Sequence, residues 1–179
     1  LEYPEWVNTI ARTKDGDFVF VRQYRHGLGI TEFELCAGVC EPDDPSPLQA
    51  AQRELAEETG FGGGKWHKLM AISANPSTQT NLTHCFVATD VEPTTTRHLD
   101  PTEDLSVHIL SLEQVRELLA EDRIKQATHV APLWRYFAEN HAATIAEAGD
   151  GNTDRASSLL KELMVQYIVK RKYAIEGLT

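Results

Sequence analysis

Apolar residues recur along this chain with two periods, and the order in which those periods alternate predicts its architecture. Residues 6–12 and 18–23 read as two strands joined by the turn Lys14-Asp15-Gly16-Asp17. In the second, Phe18-Val19-Phe20-Val21 is apolar on both faces, as suits an interior strand. Residues 32–35 form a short strand that enters a polar, Pro-rich loop over 39–45. A helix follows. Ser46 is placed to cap it, Pro47 suits the first helical position, Gln49 completes a Ser-x-x-Gln capping box, and Gly60 closes it as C′. Leu48, Ala51 and Leu55 make an i, i+3, i+7 stripe that can seat this helix on a core.

Gly62-Gly63-Gly64 precedes no helix, so it reads as a flexible connection rather than a phosphate cradle. Residues 66–72 and 82–88 predict two further strands around the polar loop 73–81, and residues 105–110 a third after the acidic loop 100–104. Ser111 caps a helix running to about residue 121, and a second helix covers roughly 126–139. The class is α/β in the broad sense (α+β), with a main domain over 1–140 and a C-terminal helical extension over 141–179. In the extension, residues 148–152 read as a linker and 157–173 as a helix with Leu160, Leu163, Met164, Tyr167 and Ile168 on one stripe. That stripe has to cover something, either the parent domain or a second copy, and a homodimer is the expected assembly. Lys170-Arg171-Lys172 reads as the ordinary cationic end of a helix.

The densest chemistry lies in Arg53-Glu54-Leu55-Ala56-Glu57-Glu58-Thr59-Gly60-Phe61. Offsets of i, i+3 and i+4 put Glu54, Glu57 and Glu58 on one side of a helix, with Cβ atoms about 5–6 Å apart. At an effective dielectric of about 20, two carboxylates about 6 Å apart repel by roughly 3 kcal/mol before salt screening. A solvated face is the ordinary fate of such a run. A hard divalent cation is the alternative that would make the crowding useful, because Mg²⁺, Mn²⁺ and Ca²⁺ prefer oxygen ligands. Arg53 stands four residues before Glu57, within reach of a charge-assisted hydrogen bond that would orient it.

With the upstream Gly38 and the loop that follows it, this helix resembles the signature of the Nudix hydrolases. That signature runs Gly, five residues, Glu, seven residues, Arg-Glu-apolar-x-Glu-Glu-x-Gly-apolar. The match covers residues 38–61, and its second half fits at every position. The first half departs: the signature's first Glu falls on Pro45, Asp44 is one place away as its stand-in, and Gly38 lies one residue too far upstream. The loop thus carries a single insertion.

The resemblance implies a Nudix fold, a mixed β-sheet sandwiched between helices. It also implies hydrolysis of a nucleoside diphosphate linked to another moiety, with Mg²⁺ as cofactor and Mn²⁺ as a substitute. Val21-Arg22-Gln23-Tyr24-Arg25, Glu34-Leu35-Cys36-Ala37-Gly38, Asn75-Pro76-Ser77 and His84-Cys85-Phe86-Val87-Ala88 are similar to segments of the ADP-ribose and nucleotide-sugar pyrophosphatase branch. On that resemblance Arg25 and Glu34 face the substrate, and the Ala37 carbonyl joins Glu54, Glu57 and Glu58 as a metal ligand beside Arg53. Glu103, in the loop before the late strand, is the expected general base, with Glu58 or the metal ion alone as alternatives. Other readings are a nucleotide-sugar sensor without activity, which the intact glutamate trio disfavours, or a hydrolase of NADH, nucleoside triphosphates or dinucleoside polyphosphates. Isoprenoid diphosphate rearrangement would need further catalytic residues that the sequence does not offer.

Composition narrows the partners. The chain has 179 residues, enough for one domain with an appendage, and 41% of them are hydrophobic without a long apolar run. A net charge of −10 argues against a nucleic-acid backbone as partner but not against a small phosphorylated substrate carrying its own cation. With no signal-peptide pattern near Leu1, and with Cys36, Cys40 and Cys85 at loose spacing, buried free thiols in a cytoplasmic protein are expected. The seven histidines form no His-x-x-x-His pair, and His26 beside Arg25 is the one worth watching. Trp6, Trp66 and Trp134 could each stack on a base but are expected to pack in the core.

Overall fold

The computed structural model of the chain describes residues 1–95 and 105–147, with side chains through residue 140. Among the described residues are β1 (Trp6–Thr13), β2 (Phe18–Arg25), β3 (Ile30–Glu34), β4 (Cys36–Val39), α1 (Pro47–Thr59) and β5 (Phe61–Gly62). There follow β6 (Lys65–Ile72), β7 (Thr83–Pro93), β8 (Leu105–Leu110), α2 (Leu112–Ala120) and α3 (Ala127–Glu147). The chain separates into two compact units, residues 1–134 and 135–179, and of the second only the helical residues 135–147 are described. The linker and the terminal helix expected beyond residue 147 lie outside the described residues. No described helix is long and apolar enough to cross a membrane.

The sheet is mixed. Strands β3, β2, β1, β7 and β5 lie side by side in that order, while β4 also pairs with β1, β6 with β7, and β8 with β2. Strands β1 and β7 run parallel, with Trp6 opposite Thr83 and Ile10 opposite Val87, and the other pairs are antiparallel. Strand β2 is flanked by three neighbours, which accounts for the complete burial of Phe18, Val19, Phe20 and Val21. The short β5 is missed by pattern reading because two residues, one of them Gly62, carry no periodicity.

Alternation along β1 assigns the helices to opposite faces. Val7 and Ala11 pack with Ala50, Ala51 and Leu55 of α1, in clusters that also contain Cys36, Phe86, Ala88 and Val91. Asn8, between them, points the other way and donates its Nδ2 to the Thr128 carbonyl of α3 at 2.6 Å. That bond answers a specific need. Pro132 lies inside α3 and has no N–H to offer the carbonyl four residues back, which is that of Thr128. The Asn8 amide takes the missing donor's place and ties the helix to the sheet.

Both predicted helix caps are present, with one difference. Ser111 and Gln114 make the full reciprocal box on α2. On α1, Ser46 accepts from the Gln49 backbone N–H, but the Gln49 side chain takes the Ser46 hydroxyl (3.3 Å) instead of its backbone N–H, so that box is half made. Gly60 ends α1 with φ of 76°, the left-handed turn foreseen for it. The helix expected over 126–139 runs on to Glu147. Trp134 corrects the expectation of core packing, being 44% exposed.

Candidate functional site

Helix α1 hangs its carboxylates over β4. Glu58 is buried and accepts the Ala37 backbone N–H at 3.1 Å. Glu54 lies over Gly38 so closely that a Cβ at position 38 would displace its carboxylate from this position. Glu57, further round the helix, has a side chain 42% exposed. Arg53 gathers the group: its Nη1 bonds Glu54 at 3.0 Å and Glu57 at 2.8 Å, as its spacing from Glu57 predicted. Its Nε and Nη2 grip Asp44 at 3.2 and 2.9 Å, and Nη2 also bonds the Val39 carbonyl.

Asp44 therefore closes the signature loop onto the helix. It is held below the usual carboxylate range chiefly by its hydrogen bonds to Arg53. Arg53 in turn is held firmly charged, first by Asp44 and then by Glu54 and Glu57. Among the described residues no three acidic, histidine or cysteine side chains converge on one point, because Arg53 draws Glu54 and Glu57 toward itself while Glu58 faces β4.

A second group comes from the sheet. Arg25, at the end of β2, meets Glu34, at the end of β3, with both ends of its fork: Nε bonds Oε1 at 2.6 Å and Nη2 bonds Oε2. Glu34 is fully buried, whereas the Arg25 side chain is 40% exposed. Gln23 adds a bond to Glu34 at 3.2 Å. Hydrogen bonding to Glu34 raises the Arg25 pKa most, and the Glu58 and Glu32 carboxylates add to it, so Arg25 feels both groups. Glu32 is itself buried and accepts the Lys125 backbone N–H at 2.8 Å.

The sequence reading missed His129. It is 1% exposed, and its Nδ1 accepts the Leu35 backbone N–H at 2.9 Å, with Nε2 4.0 Å from Glu34. His26, the histidine singled out in its place, is exposed and meets Tyr24 edge to face. Glu103 and its loop lie outside the described residues. Of the cysteines, Cys36 and Cys85 are buried free thiols as expected, and Cys40 is free but only half-buried. Burial pushes the Cys85 thiol up to about 11.

A cavity of about 370 Å³ is lined by Arg25 of the second group and by Ala37, Gly38 and Val39 of β4, while the α1 carboxylates are not in its lining. Trp6, Asn8, Thr83, Thr128 and His129 also line it.

Comparison with known proteins agrees with this geometry. The NUDIX domain family model matches residues 4–131. An ADP-ribose pyrophosphatase of Bacillus subtilis (strain 168) is 30% identical over 128 residues, which are 71% of this chain and 69% of that protein. A GDP-mannose pyrophosphatase of Escherichia coli (strain K12) is 27% identical over 140 residues, covering 74% of this chain and 72% of that one. A crystal structure of an ADP compounds hydrolase superposes with a TM-score of 0.67 at 26% identity, covering 82% of this chain and 75% of its own. With its mixed sheet, its flanking helices and the acidic α1 in the signature position, the chain belongs to the Nudix family of pyrophosphohydrolases.

Proposed function

We propose that the chain hydrolyses the diphosphate bridge of ADP-ribose or a related nucleotide sugar, yielding a nucleoside monophosphate and a sugar phosphate, with Mg²⁺ as cofactor and Mn²⁺ as substitute. One observation carries the reading: Arg25 lines a cavity together with Ala37 and Gly38 of β4, the two residues that Glu58 and Glu54 of α1 meet. Its volume lies within the range of about 300–1,000 Å³ typical of small-molecule sites. The similar proteins named above act on ADP-ribose, GDP-mannose or ADP compounds, all of them nucleoside diphosphates joined to a further group, and that supports the same substrate class.

The residues suit a hard cation. Glu54, Glu57 and Glu58 supply carboxylate oxygens within little more than one helical turn, and the Ala37 carbonyl belongs to the residue whose N–H Glu58 already holds. When bound there, the ion would neutralise diphosphate oxygens and acidify a water for attack on phosphorus. The chain's own residues prepare that site. Arg53 keeps Glu54 and Glu57 oriented. Gly38 leaves room for the Glu54 carboxylate to reach β4. Arg25, neutralised on one edge by buried Glu34, remains exposed enough to meet a phosphate. Glu103 is the candidate base, and a homodimer is the assembly we expect.

The test is a panel of ADP-ribose, GDP-mannose, NADH and diadenosine polyphosphates, with Mg²⁺ and with Mn²⁺. We expect kcat/KM to be highest on a nucleotide sugar and activity to vanish with EDTA. Turnover of nucleoside triphosphates or dinucleoside polyphosphates above all nucleotide sugars would overturn the reading, as would tight binding without cleavage. Labelled water then reports which phosphorus is attacked.

A further inference from the structure

We propose that His129 is a positioning residue for the substrate grip: it anchors the backbone between β3 and β4 and thereby fixes Glu34, which in turn aims Arg25 at the diphosphate. This deepens the functional reading above and rests on its assignment of Arg25 and Glu34.

The geometry is that of a break that has to be mended. Strand β3 ends at Glu34 and β4 begins at Cys36, so Leu35 falls between the two ladders. Leu35 is 1% exposed, and a buried N–H there needs an acceptor. His129 Nδ1 supplies it from α3, 94 residues away in sequence. On one side of that bond lies Glu34, and two residues beyond it lies Ala37. The same short segment therefore carries the partner of Arg25 and the carbonyl offered to a cation.

The ring is also fixed in its protonation. Accepting at Nδ1 leaves the proton of a neutral imidazole on Nε2, and Nε2 is the atom that faces Glu34 across 4.0 Å. Burial keeps the ring neutral, pushing its pKa down to about 4 against a smaller upward pull from Glu34. Around Glu34 stand Arg25 with two bonds, Gln23 with one, and His129, and each of these three presents a donor to the carboxylate. The first turn of α3 is secured independently at Thr128 by Asn8, which gives the ring a firm base to act from.

The test compares His129→Asn, whose amide oxygen can accept the Leu35 N–H, with His129→Leu, which offers no acceptor. Steady-state kinetics use ADP-ribose with Mg²⁺, well below each variant's Tm. Arg25 holds ground and transition state alike, so its misplacement raises KM more than it lowers kcat. We expect His129→Leu to raise KM about tenfold with kcat changed less than about threefold, and His129→Asn to keep KM within about threefold of the native value. Should His129→Leu not fold, His129→Ala carries the same comparison.

The second arm repeats the substitution in a Glu34→Gln background, where the rise in KM should vanish because the intermediary is gone. A lower Tm with unchanged KM in His129→Leu would reduce His129 to core packing and overturn the inference. The same factor with and without Glu34 would overturn it too, while leaving the functional reading intact. Glu34→Gln with native KM would instead sink the Arg25–Glu34 assignment, and the inference with it.

Discussion

Helix α1 and the Arg25–Glu34–His129 group both bring charged side chains to the β3–β4 segment, but they are built in opposite ways. On α1 the partners are close in sequence: Arg53 meets Glu54, Glu57 and Asp44, all within nine residues of it, and Glu57 remains 42% exposed. In the second group the members come from β2, β3 and α3, and both Glu34 and His129 are almost wholly buried. A local cluster with an exposed member can change partners, so Glu57 can leave Arg53 for a cation at little cost in packing, whereas Glu54, only 13% exposed, is held more closely. A buried, long-range cluster has no such freedom and serves as a fixed reference. The contrast teaches a division of labour between an adjustable acidic wall on α1 and a rigid wall that carries the Arg25 cation.

The largest expected effect falls on the adjustable wall. Glu58→Gln keeps an oxygen for the Ala37 N–H, so the fold should survive with little change in Tm. It removes a candidate ligand charge, and kcat should fall about a thousandfold, or about 4 kcal/mol. Turnover near the native rate would mean that α1 does not hold the metal. Arg53→Ala tests the adjustable character itself and comes third in size: it frees Glu54 and Glu57 without deleting a ligand, and kcat/KM should fall about 30-fold, or about 2 kcal/mol.

Between them stands a pH effect on the rigid wall. His129 takes up its proton near 6.5 when unfolded but only at about 4 when folded. Between those values the unfolded chain binds more protons, so stability rises with pH there. The contribution is fully present above the unfolded value and is lost as pH falls toward 4. A gap of this size is worth about 3 kcal/mol, undiminished by solvent because the ring is buried. Urea titrations at pH 7 and pH 4.5 should show most of that loss, and His129→Asn should flatten the curve over this window. An unchanged slope in that variant would mean that another group titrates there.

How legible the two walls were follows from the same contrast. The α1 signals are local: Ser46 and Pro47 start the helix, Gly60 ends it, and the spacing of Arg53 from Glu57 gives a contact that the structure shows. Most strands of the sheet were readable for the same reason, since apolar runs bounded by turns need no knowledge of their partners, whereas the short β4 and β5 were not. The rigid wall is different. Glu32-Phe33-Glu34 has the alternation of a strand with one solvated face, yet both glutamates are buried, because Lys125 and Arg25 supply their partners. His129 sits in Gln126-Ala127-Thr128-His129, where nothing within a helical turn marks it, and its partner is 94 residues upstream. Burial created by tertiary packing has no local pattern to announce it.

The smallest predicted effect tests how the rigid wall is anchored. The Thr128 carbonyl lacks its helical donor because residue 132 is proline, and Asn8 donates in its place. Asn8→Leu should leave that carbonyl unpaired and destabilise by about 1–2 kcal/mol in urea unfolding. Pro132→Ala restores an N–H four residues on, so it should help more in the Asn8→Leu background than in the native chain. The cycle isolates that coupling from the separate costs of each change, including the buried proline's lost packing, and a value of about 1 kcal/mol is expected. Strict additivity would mean that Thr128 is satisfied some other way. In that case His129 would owe its position to the packing of α3 and not to the bond from β1.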